Sequence, residues 1–290
     1  MPDLDEAIWR TIAYAALFRY PLRISELRRR LVDVSATAAE ITACLRSSRL
    51  RARVAWRDGF VVPAGCEAWV DLRRQRSARS RRLVAAHARA LRAIGSFPFV
   101  RMVALSGACA HENATDDDVD VFLITGRGRA WTVTLLLTIA SKLAGLRRTL
   151  CINYVLAEDG LALPERDAFT ASELVALRPL AGRETYRGFV KANAWVADRH
   201  PNFFAGHERE SEAVPRAAGA GLFERIADVF GARLVERAAR AVLEPYLRRR
   251  VRGPGVDLSS RRLKLHGRDH RGPVSRAFEA AQAPREARSA

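Results

Sequence analysis

The chain has 290 residues and is 49% hydrophobic, enough apolar material for two modest domains or one domain with appendages, which excludes a globally disordered polymer. Its formal charge of +17 comes almost wholly from arginine, since only Lys142, Lys191 and Lys264 are lysines; this fits both a GC-rich genome and a surface that meets a polyanion. Cys44, Cys66, Cys109 and Cys151 form no Cys-x-x-Cys pair, which excludes a zinc site of the usual spacing and suits the reduced thiols of a cytoplasmic protein.

Residues 1–70 predict a small helical unit closed by a hairpin. Met1 to Glu6 is acidic and lacks the charged-then-apolar order of a signal peptide. Asp3-Leu4-Asp5-Glu6 predicts a capped helix with Ile8, Ile12, Ala15 and Ala16 on one face, ended by Pro21. Ile24, Leu27 and Leu31 mark a short second helix. Thr37-Ala38-Ala39-Glu40 is a capping box opening a third, with Ile41, Cys44 and Leu45 inward. Asp58-Gly59, set between Val54-Ala55-Trp56 and Phe60-Val61-Val62, predicts a two-residue hairpin turn. Three helices and a hairpin are the order of a winged helix. Such a unit reads DNA through its third helix, or serves for packing or dimerisation. Here that helix offers few base-reading groups beyond Thr42 and Arg46.

Residues 71–95 predict a connecting helix with Leu72, Leu83, Val84, Ala88 and Leu91 as its apolar stripe. Arg73, Arg74, Arg76, Arg79, Arg81 and Arg82 crowd its first half, either as a phosphate-binding face or as the solvated side of a connector.

Within residues 96–205, Val100 to Leu105 predicts a strand, followed by the small-residue turn Ser106-Gly107-Ala108. Asp118 and Asp120 stand at the mouth of the next apolar run, Val121 to Ile124. Strand residues i and i+2 share a face, so the two carboxylates lie side by side. They repel unless a cation lies between them, and Mg²⁺ is commonly held by one or two carboxylates plus substrate phosphates. Arg129 to Gly145 predicts a crossover helix. The most apolar segment, Ala130 to Leu146, is shorter than the ~20 residues of a membrane span; it is read as a buried helix, with no membrane partner. Leu150 to Ala157 predicts the next strand, with Cys151, Asn153 and Val155 on one face and Ile152 and Tyr154 on the other. Glu158 and Asp159 lie just beyond it.

Residues 206–252 are read as a loop, then a helix from Leu222 to Arg250. Its inward residues are Ile226, Val229, Phe230, Leu234, Ala238, Val242 and Leu243, and Pro245 is a candidate kink. Residues 253–290 read as a basic, partly disordered tail with a helix over 273–282.

The order of strand, small-residue turn, Asp-x-Asp strand, helix and strand resembles the nucleotidyltransferase superfamily, whose fold is like that of DNA polymerase beta. That family's pattern is Gly-Ser, a spacer, Asp-x-Asp, and a third carboxylate on a later strand. Gly107 matches, and Asp118-Val119-Asp120 matches; Ala108 stands where the family has serine, which removes a hydroxyl that helps hold the nucleotide phosphates. Phe18-Arg19-Tyr20-Pro21-Leu22, and the stretch from Cys151-Ile152-Asn153-Tyr154 to Pro201-Asn202, resemble a bacterial nucleotidyltransferase-like family with an N-terminal winged-helix-like unit.

The resemblance implies an α+β fold: a nucleotidyltransferase-like mixed sheet with helices, preceded by a small winged-helix-like domain and followed by helices. It implies Mg²⁺-dependent transfer of a nucleotidyl group from an NTP to an acceptor hydroxyl that the resemblance does not identify. Asp118 and Asp120 would be the catalytic carboxylates and metal ligands. Ser106 and Gly107 would meet the phosphates, and Asn153 would stand near the third carboxylate's place. Asn193, Trp195 and Asn202 are candidates for a base or ribose pocket, and His111 and Glu112 follow the turn within reach of a phosphate. The departures at Ala108 and Asn153 keep a second expectation open: a non-catalytic nucleotide-binding or DNA-binding regulator that meets nucleic acid through its arginine-rich surface.

Overall fold

Asp58 and Gly59 both have positive φ, +53° and +80°, the turn geometry that matches the twist of paired strands. They join β2 (Val54–Arg57) to β3 (Phe60–Pro63), and β1 (Leu22–Arg23) pairs on the other edge of β3. Onto this small sheet pack α1 (Leu4–Ala16), α2 (Ile24–Arg30), α3 (Ala38–Leu45) and a short α4 (Ser48–Arg51). The Asp3 side chain caps α1, and Thr37 and Glu40 form the expected capping box on α3. Ile8, Ile12, Leu27, Leu31, Ile41 and Val61 enclose a core belonging to this unit alone. The computed structural model describes residues 3–46, 48–206, 231–251, 253, 255–265 and 271–282, and these form a mixed α+β architecture.

The connector departs from its expected stripe. It begins at Trp69 and breaks at His87 into α5 (Trp69–Ala86) and α6 (Ala88–Gly95). On α5 the buried residues are Val70, Arg73, Ser77 and Ser80, whereas Leu72, Leu83 and Val84 are half-buried. Arg73 is only 4% exposed. Its guanidinium donates to the Glu112 carbonyl and the Tyr20 hydroxyl and pairs with Glu26 at 3.1 Å. A buried charge is tolerated only when paired and hydrogen-bonded. These partners come from the N-terminal unit and from the loop at 111–118, so α5 is a polar strut between the two.

The larger sheet has the order β7-β4-β5-β6-β9-β8. Its strands are β4 (Val100–Leu105), β5 (Val119–Thr125), β6 (Leu150–Ala157), β7 (Arg178–Ala181), β8 (Val256–Leu258) and β9 (Arg262–Leu265). β5 and β6 pair in parallel and the other neighbours are antiparallel. The parallel pair requires a crossover, supplied by α8 (Ala130–Leu143). α6, α8 and α13 (Ala232–Arg250) cover the face that carries Val103, Leu105, Val121, Leu123 and Val155. The opposite face, with Met102, Ala104, Phe122, Ile124 and Leu156, meets α9 (Ala168–Ala176), α10 (Arg183–Ala192), α11 (Val196–Arg199) and α12 (Pro201–Gly206). α14 (Arg271–Gln282) crosses α1 and α9.

Three expectations need correction. The apolar segment from Ala130 is buried only in its first half: Trp131, Val133 and Leu137 are enclosed, but Leu143 is 84% exposed. On α13 the inward residues are Ala239, Leu243 and Leu247, spaced i, i+4, i+8, while Leu234 and Val242 are 71% and 65% exposed and Ala238 is exposed. One residue of offset turns a helix face by ~100°, and the face is chosen by contact with α8. Ile226, Val229 and Phe230, and the loop expected from 206 to 219, lie outside the described residues save Gly206, which ends α12. The third correction concerns the basic tail. Arg262–Leu265 pairs antiparallel with β6 and buries Leu263, so part of that tail extends the sheet. Among the described residues, no helix is long and apolar enough to cross a membrane.

Candidate functional site

The turn after β4 is tied to β5. The Ser106 N–H donates to the Asp120 carbonyl at 3.0 Å. Gly107 follows with φ of +55°, and a Cβ there would run into the Asp120 carboxylate, so backbone and carboxylate approach as only glycine permits. A single turn, α7 (Gly107–Ala110), leads into the loop, and the Cys109 thiol donates to the Asp118 carbonyl at 3.4 Å.

Asp118 immediately precedes β5 and Asp120 lies within it, while Val119 and Val121 are buried on the reverse face. Alternation sets Asp120 opposite Val119 and Val121, and Asp118, one residue ahead of the strand, is near enough for its charge to act on Asp120. Burial first, then the charges of Asp118 and Asp116, push the Asp120 carboxyl up to about 7, against a bond from Asn153 that lowers it. Asp118 is raised by burial and by Asp116 and Asp117.

Asn153 lies across from this pair, and its side-chain amide donates to Asp120 Oδ1. The register runs Asp120 to Cys151, Val121 to Ile152, then Phe122 to Tyr154. Asn153 is thus the extra residue of a β-bulge. The bulge overturns the expected alternation: Val155 packs into the closed core with Ile152, whereas Asn153 and Tyr154 both face a cavity.

That cavity has a volume of about 730 Å³, the size of a small-molecule site. Ser106, Gly107, Asp120, Phe122, Asn153 and Tyr154 line its sheet side, and α1, α9 and α14 contribute the other walls. The Ser106 hydroxyl is buried without a hydrogen-bond partner. Asp118 is not among the lining residues.

A chain of polar contacts crosses the rim. The Arg30 guanidinium, which can only donate, meets His111 Nδ1 at 3.0 Å, so the ring proton resides on Nε2 and is donated to Glu173 at 3.2 Å. Both ring nitrogens are thereby engaged, and the expected approach of His111 to a phosphate is not available to it. Arg30 and Glu173 were invisible to motif reading because 81 and 62 residues separate them from His111. Glu112, the other loop candidate, accepts from the Ser77 hydroxyl at 2.7 Å and pairs with Arg178 at 3.4 Å. The α5 arginines grip the same loop: Arg76 donates to the Phe18 carbonyl and Asn113, and Arg79 to the Asp116 carbonyl and the Asp117 carboxylate. Of the two expectations for that helix, the connector describes these residues better than a phosphate face.

Asn193 and Trp195 do not join the cavity. Asn193 is fully buried; it accepts from the Leu163 N–H at 2.8 Å and donates to the carbonyls of Leu161 and Phe189. The Trp195 indole donates to the Asn193 oxygen at 3.4 Å. Enclosed amides must be satisfied, and here they fasten a loop instead of lining a base pocket. Asn202 does the same between units, accepting from the Ser35 hydroxyl and the Ala36 N–H and donating to the carbonyls of Arg28 and Ala36. Glu158 pairs with Arg101 at 3.4 Å and Asp159 with Arg261 at 3.2 Å, both at the end of β6 away from Asp120. Among the described residues, no three His, Cys, Asp or Glu side chains gather as a metal-binding group. Asp120 and the neighbouring Asp118 offer hard oxygen donors of the kind a divalent cation such as Mg²⁺ takes.

The chain has no match among protein-family models, curated proteins or solved structures.

Proposed function

We propose that the protein is a Mg²⁺-dependent, nucleotidyltransferase-like enzyme that binds a nucleoside triphosphate at Asp118 and Asp120 and transfers its nucleotidyl group to an acceptor hydroxyl. The observation that carries this reading is the packing of the Gly107 turn onto the Asp120 carboxylate, with Asp118 just ahead of β5 and Asn153 across on the parallel neighbour. In this reading the larger sheet is a nucleotidyltransferase-like sheet and the N-terminal unit a winged-helix-like domain. Asp118 and Asp120 would hold the cation, which supplies compensation for phosphate charge. Gly107 keeps the backbone close to the carboxylate. The unpartnered Ser106 hydroxyl is at hand to donate to a phosphate oxygen, a role the family gives to the residue that is Ala108 here. The acceptor hydroxyl attacks the α-phosphorus and pyrophosphate leaves.

Asn153 favours a second reading, nucleotide binding without transfer. A neutral amide donating to Asp120 engages one of its lone pairs and adds no charge for a second cation.

Calorimetry with the four Mg²⁺·NTPs tests the binding claim. The double variant Asp118→Asn, Asp120→Asn is expected to lose Mg²⁺-dependent binding while its fold and thermal stability persist or improve, because two repelling charges are gone. Unchanged affinity in that variant would overturn the assignment. Pyrophosphate release by the wild-type chain then separates transfer from binding alone.

A further inference from the structure

We propose that the N-terminal unit supplies one half of a small-molecule site, and that the acceptor is a neutral, hydroxyl-bearing molecule with a flat apolar body. The word acceptor rests on the transferase reading; occupancy of the cavity by such a molecule does not.

The cavity has aromatic walls from two sources. α1 contributes Tyr14 and the turn after it Phe18, and Phe278 of α14 meets Tyr14 edge-on at 5.1 Å between ring centroids. On the sheet side Phe122 and Tyr154 stack at 5.1 Å. Aromatic walls with a few polar groups are the usual make-up of a site for a ring-bearing ligand. Asp120, Asn153 and Ser106 line the same cavity. A ring held between these walls therefore presents its hydroxyl within the same enclosure as the carboxylate. A volume of about 730 Å³ admits a molecule of that kind and excludes a nucleic-acid duplex.

Charge decides the rest. Several charged groups of the enclosure are already engaged: Lys264 pairs with Glu165 at 3.3 Å, Arg10 with Asp33 outside the lining at 2.7 Å, and Arg30 is linked through His111 to Glu173. A charged ligand body would have to displace these pairs, whereas a neutral one does not. Polar atoms with no well-formed hydrogen bond also belong to its lining residues: the Ser106 hydroxyl, His200 Nε2, and the hydroxyls of Tyr14 and Tyr154, which have Ser172 and Arg262 beside them. Native interiors leave few such groups without a role.

The N-terminal unit is held where it can form this wall. Asn202 bonds it to α12, Arg73 bonds it to α5, and Arg30 joins it to α9 through His111. A unit fixed in this way holds its share of the cavity wall in place.

The probe is 2-naphthol, a neutral flat ring with one hydroxyl, titrated calorimetrically into the full chain. Saturable binding at one site is expected. Ala15→Trp, which places an indole into the α1 wall, should weaken it at least tenfold and leave Mg²⁺·ATP affinity within twofold. Phe278→Ala, which trims the adjoining wall, should weaken it severalfold and is the second variant should Ala15→Trp not fold. Absence of saturable binding, or binding indifferent to both substitutions, overturns the proposal. So does competition between 2-naphthol and Mg²⁺·ATP, since the aromatic walls would then belong to the nucleotide base. Binding of 2-naphthol without any binding of Mg²⁺·NTP upholds the cavity assignment and overturns the transferase reading instead.

Discussion

The two faces of β4, β5 and β6 are made from the same strands and behave in opposite ways. On one face Val103, Leu105, Val119, Val121, Leu123 and Val155 are sealed beneath α6, α8 and α13, in a cluster of apolar side chains. On the other, Asp120, Phe122, Asn153 and Tyr154 border a cavity, with a buried Ser106 hydroxyl that has no partner. Strand alternation supplies the first set, and the β6 bulge places Asn153 beside Tyr154 in the second. The difference lies in what covers them. Helices fill the first face, and α9 to α12 close part of the second over Met102, Ala104, Ile124 and Leu156, while beside Asp120 the N-terminal unit and α14 leave space. Stability and ligand chemistry can therefore be altered separately, one face at a time.

The largest effect should come from the sealed face. Leu123→Ala is expected to lower the unfolding free energy by about 3 kcal/mol, the transfer and cavity cost of truncating an enclosed leucine. Urea denaturation measures this, and Mg²⁺·ATP affinity should stay within twofold. A collapse of affinity at full stability would show that the faces are not separable.

Acid should act on the cavity side with nearly the same strength. His200 Nδ1 bonds the Arg30 carbonyl at 3.0 Å and Nε2 is buried without a partner. Burial, together with the charges of Arg30 and Arg199, lowers its pKa to about 4 despite that hydrogen bond. The unfolded chain takes up this proton near 6.5, so it binds more protons than the folded chain between those values. The stabilisation is complete above about 6.5 and is lost as pH falls through about 4, at most about 3 kcal/mol. Relative to His200→Phe, in which the opposite contribution of the raised Asp120 carboxyl is the same, wild-type urea midpoints should fall from pH 7 to pH 4.

Gly107→Ala tests the junction of turn and carboxylate. A left-handed alanine costs about 1–2 kcal/mol, and its Cβ displaces the Asp120 carboxylate. Thermal unfolding should report that modest loss while Mg²⁺·NTP binding disappears. Retention of binding would detach the turn from the site.

The smallest effect should be that of Trp195→Phe. Its ring packs beside the α10–α11 region and does not border the cavity, so Mg²⁺·NTP and 2-naphthol affinities should both stay within twofold. A larger change would restore the base-pocket expectation.

Much of this architecture was legible without coordinates. The Asp58-Gly59 turn, the caps of α1 and α3 and the apolar runs of β4 to β6 all follow from spacings of two to four residues and from which residues tolerate positive φ. Those rules act within a single element, so composition and order suffice to read them. The polar strut of α5, the exposed half of α8, the rotated stripe of α13 and the tail strand against β6 could not be read that way. Each depends on which distant element lies on top. The site divides along the same line. Asp118, Asp120 and Gly107 announce themselves in one short segment. By contrast, the bulge that turns Asn153 toward Asp120 and the Arg30–His111–Glu173 chain arise only when segments far apart in the chain meet. So does the cavity roofed by α1 and α14. A buried polar group must find its partner wherever the fold brings one, and sequence separation carries no information about that distance.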